Sequence, residues 1–91
     1  MEYAVYVAVP PGEDCAGIVR GARVAAPKKF DFKVRGKGDP SESTDIELCF
    51  RIRGVTLPEE ALSQALRIYE LARDEAGLKP DRAPRASLAA D

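Results

Sequence analysis

The chain has no histidine, no tryptophan and no asparagine, and only one glutamine and two cysteines among its 91 residues. Without histidine, the commonest general base near neutral pH and the commonest zinc ligand are both missing. A Ser-His-Asp or Cys-His catalytic group within one chain is therefore excluded. Cys15 and Cys49 are too few for a disulfide-stapled scaffold and do not form a C-x-x-C motif. They read as reduced thiols of a cytoplasmic protein, with a single disulfide as the alternative. No run of 18 apolar residues occurs, so no membrane-spanning helix is predicted. The opening MEYAVYVAVPPG carries Glu2 and no basic flank, which reads as mature chain and not as a signal peptide. Scarce amides beside many charges fit a thermophilic source, and a GC-rich genome would give the same composition.

What is present is one domain's worth of chain, 45% hydrophobic and 32% charged. A domain of this length buries somewhat over 60% of its unfolded surface, enough to fold alone with little margin. Residues 2–9, EYAVYVAV, predict a strand with Tyr3, Val5, Val7 and Val9 on one face and Glu2, Ala4, Tyr6 and Ala8 on the other. Pro10, Pro11 and Gly12 end it. Residues 13–26 are ambiguous: Glu13 and Asp14 suit a helix start, but Gly17 and Gly21 each weaken a helix by roughly 1 kcal/mol, which favours a short strand or irregular connection. Residues 29–35 alternate, with Phe30, Phe32 and Val34 inward and Lys29, Asp31, Lys33 and Arg35 outward. Gly36–Ser43 reads as a loop. Residues 44–53 alternate again, with Ile46, Leu48, Phe50 and Ile52 towards the core and Asp45, Glu47, Cys49, Arg51 and Arg53 away from it.

Residues 57–76 predict a helix. Thr56 with Glu59 matches a capping box, Pro58 suits the first turn, and Gly77 sits at the left-handed cap position. Leu62, Ala65, Leu66, Tyr69, Ala72 and Ala76, widened by Ile68, form the apolar stripe, centred on Leu66. Glu70 with Arg67 and with Arg73 or Asp74 reads as a solvated, salt-bridged face. Residues 79–91 hold two prolines and few apolar side chains, and are expected to be a flexible tail. The predicted class is α+β: residues 1–78 form one domain, a small and mostly antiparallel sheet of three or four strands with one long C-terminal helix on one face.

Chemistry-bearing groups are sparse. Glu13 and Asp14 oppose thiolate formation at Cys15, while Arg51 favours it and Glu47 opposes it at Cys49. No D-x-D-x-D-G loop is present, and GKGDPS lacks the third glycine of a phosphate loop and precedes a strand, so no metal or cofactor is expected. Residues 18–37 carry seven basic side chains against Asp31 alone, within a net charge of −1. Lys29, Lys33, Arg35, Arg51 and Arg53 form a candidate binding patch that would hold nucleic acid weakly, because the inward phenylalanines offer no stacking platform.

The run FKVRGKGDPSESTDIELCFRIRGVTLPEEALSQALRIYELARDEAGL, over residues 32–78, resembles the C-terminal half of the OsmC/Ohr family of thiol peroxidases. A strand of the type x-I-x-L-x-F-x-I-x-G, here DIELCFRIRG, precedes a helix of the type L-x-x-A-L-x-I, here LSQALRI. The resemblance implies a dimer built from a sheet and long helices, and a peroxidase that works through two cysteines. Asp74 stands near the place of the family's second cysteine, and no long central helix precedes these strands. The relationship thus implies a divergent or truncated relative without that chemistry. Three functions stand open: a non-catalytic domain acting through self-association or a protein partner, a thiol-dependent peroxidase or reductase using Cys15 or Cys49, and a weak nucleic-acid-binding module. The first is preferred, because one helix cannot cover both faces of the sheet and Ala4, Tyr6 and Ala8 are not a solvating surface.

Overall fold

The first strand, β1 (Glu2–Ala8), is one of the two inner strands of the sheet. A computed structural model describes residues 2–34 and 46–90, with side chains described for 2–31 and 46–89. Helix α1 (Cys15–Ala25), strands β2 (Phe30–Val34) and β3 (Ile46–Arg53), helix α2 (Pro58–Glu75) and strand β4 (Ala86–Ala90) follow. The four strands form one sheet in the order β2-β3-β1-β4, antiparallel throughout. Each helix crosses over one intervening strand, so β1-α1-β2 and β3-α2-β4 are two interleaved split βαβ units, the ferredoxin-like topology. The α+β class and the antiparallel sheet agree with the sequence reading; the number of helices does not.

The alternation in the strands decides what each face holds. Tyr3, Val5 and Val7 of β1 oppose Ile52, Phe50 and Leu48 of β3, and all six are buried. Phe30 packs its ring against Phe50 at 5.8 Å between centroids. Both helices lie on this side: Ile18 and Ala22 of α1 and Ala61, Ala65, Tyr69 and Ala72 of α2 complete the core. The predicted loop 36–43 lies outside the described residues.

Four expectations are corrected. Residues 15–25 are a helix, not a strand or irregular connection. Asp14 caps it by accepting from the Gly17 N–H at 3.0 Å. Gly17 and Gly21 weaken a helix in isolation, but Gly21 is what lets α1 approach α2. A Cβ there would sit 2.5 Å from the carbonyl oxygen of Ala72. Tertiary packing outweighs propensity. Second, α2 begins after Leu57, which makes no side-chain cap bond, so the Thr56–Glu59 capping box is not what starts the helix. Pro58 occupies the first turn, where its missing N–H costs nothing. Third, the stripe on α2 is rotated: Ala61, Ala65, Tyr69, Ala72 and Arg73 are buried, whereas Leu62 and Leu66 are only partly so. Small alanines allow the close contact with α1 and the sheet. Fourth, residues 86–90, expected within a tail, pair with β1 from Val7↔Ala86 to Tyr3↔Ala90. Leu88 packs on the core, and that single apolar side chain in an alanine-rich segment was too faint a signal.

The C-terminus of α2 is as expected. Gly77 has φ +73°, the Leu78 N–H donates to the Arg73 carbonyl at 2.9 Å, and the Gly77 N–H donates to that of Asp74 at 3.0 Å. This is the Schellman cap.

Candidate functional site

Both helices lie on one side of the sheet, and among the described residues no helix or strand packs on its other face. Period-two alternation places Ala4, Tyr6 and Ala8 of β1 there, with Glu47, Cys49, Arg51 and Arg53 of β3. The central row runs Asp31, Cys49, Tyr6, Ser87 across the four strands. The next row runs Lys29, Arg51, Ala4, Ala89, fixed at its outer end by the Arg51 N–H donating to the Lys29 carbonyl at 2.8 Å. The middle of the face is thus Tyr6 among small side chains, and charge of both signs surrounds it.

Two ion pairs lie on this surface. Arg53 Nε donates to Glu2 Oε1 at 2.9 Å, across the pair Glu2↔Arg53. Arg51 Nη2 meets Asp31 Oδ2 at 3.5 Å, with both side chains more than half exposed. Water screens such pairs, so they orient the arginines more than they stabilise the fold. Lys28, Lys29, Arg51, Arg53 and Glu2 line an open cleft of about 340 Å³ at this end of the sheet. Three of the five cations expected to act together, Lys29, Arg51 and Arg53, are therefore brought together. The side chain of Lys33 and all of Arg35 lie outside the described residues. Lys28 and Glu2 join the cleft unforeseen; the Lys28-Lys29 doublet was the available signal.

Neither cysteine is in a disulfide; both are buried, on opposite sides of the sheet. Cys15, at the first turn of α1, belongs to the core. Burial, reinforced by the charge of Asp14, pushes its thiol above its ordinary value of 9.0. That favours the unreactive thiol over the thiolate. Cys49, also buried, lies on the helix-free face between Tyr6 and Asp31. Their positions give neither a disulfide nor a paired-cysteine site. Among the described residues no group of three or more Cys, Asp or Glu could hold a metal, and no helix is long and apolar enough to cross a membrane.

A second polar cluster went unread. Arg73, expected on a solvated face, is 3% exposed. Its guanidinium makes a two-pronged pair with Glu13, donates from Nε and Nη2 to the Lys79 carbonyl at 3.0 and 2.7 Å, and donates to the Tyr69 hydroxyl at 3.2 Å. The Tyr69 hydroxyl in turn donates to Asp81 at 3.0 Å. The hydrogen bond to Glu13 holds Arg73 charged more firmly than usual, and burial followed by the Asp81 bond pushes the Tyr69 phenol up. Every prong of the guanidinium is occupied by protein, so the cluster is a latch. It joins the β1–α1 connection, the end of α2 and the chain leading to β4.

No family model, curated protein or solved structure matches the chain.

Proposed function

We propose that this chain is a non-catalytic association domain whose helix-free sheet face packs on the same face of a second copy. The observation that carries the reading is the placement of both helices on one side of a four-stranded sheet. The other side presents Tyr6, Ala8, Ser87 and Ala89, with Ala4 and Cys49 buried between them, side chains that hydrate poorly or are small enough for close approach. A second copy suits this face for two reasons. Acids (Glu2, Asp31, Glu47) and bases (Lys29, Arg51, Arg53) share it, so rotation about a twofold axis can oppose unlike charges. The net charge of −1 leaves little long-range repulsion between copies.

The face is modest in size. Four strands and seven residues of β1 give roughly 19 by 23 Å, at the small end of specific interfaces, so association in the micromolar range is expected. Light scattering on Tyr6→Glu and Leu71→Glu tests the choice of surface. Tyr6 lies at the centre of the face, and Leu71 is an exposed apolar residue on α2, 48% accessible. Tyr6→Glu should abolish the dimer and Leu71→Glu should leave it intact. The reverse pattern would place association on the helical side.

A further inference from the structure

We infer that the cleft lined by Lys28, Lys29, Arg51 and Arg53 is a binding site for a compact, multiply charged anion of the oligophosphate class. The inference does not rest on self-association, because Tyr6 does not line the cleft. Four cations meet two carboxylates, Glu2 in the cleft wall and Asp31 on Arg51, which leaves a charge of 4 − 2 = +2. Lys28 and Lys29 pair with no carboxylate among the described residues. Arg53 meets Glu2 through Nε alone, and Arg51 meets Asp31 through one long contact. The remaining guanidinium N–H groups are thus left to take an outside acceptor.

The geometry selects the ligand class. Arg51 and Arg53 are two apart on one strand, so both project to the same side, roughly 7 Å apart along the chain. Their planar forks match phosphate oxygens two at a time, and the two lysines add point charges that tolerate varied oxygen positions. A chain of two or three phosphates spans that separation; a single carboxylate does not. Among the described residues no aromatic side chain lines the cleft, and Phe30 is turned against Phe50. The site therefore recognises phosphate and not an attached base. At about 340 Å³ it is near the lower limit of small-molecule sites.

Titration calorimetry of the intact chain with tripolyphosphate, ATP and adenosine at low and near-physiological salt tests this. Tripolyphosphate and ATP should bind with one-to-one stoichiometry and affinities within about threefold of each other, adenosine should not bind, and added salt should weaken both anions. Lys28→Ala/Lys29→Ala, a pair in the exposed connection before β2, and Arg51→Ala should each weaken binding about tenfold. Arg67→Ala and Arg82→Ala, exposed and outside the cleft, should not. Tyr6→Glu should bind as the native chain does, which separates this site from the association surface. Absence of saturable binding at low salt, or full affinity in the lysine double variant, would overturn the assignment. So would a labelled single-stranded oligonucleotide that binds while tripolyphosphate fails to displace it, since nucleic acid would then be the ligand.

Discussion

Arg73 is the side chain on which three segments converge, and its pair with Glu13 is lopsided: the arginine side chain is 4% exposed and the glutamate 29%. Removing one partner of a buried pair costs the most when the other charge stays buried. Glu13→Ala strands the Arg73 cation and should lower stability by about 2–4 kcal/mol, whereas Arg73→Met frees a glutamate that can turn to water and should cost less. Urea midpoints of the two variants check the order, and equal losses would mean that the latch acts through packing alone. At Cys15 the prediction concerns pH. A thiol raised above 9.0 in the folded chain keeps its proton when the unfolded chain has begun to lose it. The folded state then binds more protons, so its stability falls as pH rises through that range. Cys15→Ala should remove that part of the alkaline loss. Alkylation of Cys15 in the native protein should reach its half-maximal rate only above pH 9.0.

Among the elements, α1 and α2 show why a propensity scale misleads. Alanine favours a helix over glycine by about 1 kcal/mol, yet Gly21→Ala should destabilise the protein by roughly 1–3 kcal/mol, because its Cβ must displace the Ala72 backbone. A stabilised variant in thermal unfolding would show that the helices separate without cost. Strand β4 covers one edge of β1. A chain ending after Arg85 should unfold at lower urea and aggregate, since it bares unpaired backbone on a strand of valines and tyrosines. The strands with clean alternation, β1 and β3, were legible in the sequence down to which residues face the core. So was the Gly77 cap. Helix α1 was not, because the reason for its glycines lies on another helix. Strand β4 was not, because Ala-Ser-Leu-Ala-Ala carries little β preference and its pairing partner is some 80 residues away in sequence. The cationic cleft was half legible: alternation gave Lys29, Arg51 and Arg53 one face, but only the register of β2 on β3 sets them side by side.

For the molecule as a whole, both described helices pack on one face of the sheet and neither on the other. The radius of gyration, 12.3 Å, matches the roughly 12 Å expected of a compact chain of this length. The core thus closes within one chain, and the proposed association is not needed to form it. A dimer that forms and dissociates with concentration is expected, not an obligate one. Cys15 and Cys49 lie on opposite sides of the sheet, so the weight of the account falls on the helix-free face. Sedimentation equilibrium of the native chain from about 1 to about 200 μM, spanning the micromolar range expected of an interface this small, tests it most directly. The account predicts a mass that climbs from 9.9 kDa towards twice that value across the series; 9.9 kDa at every concentration would contradict it.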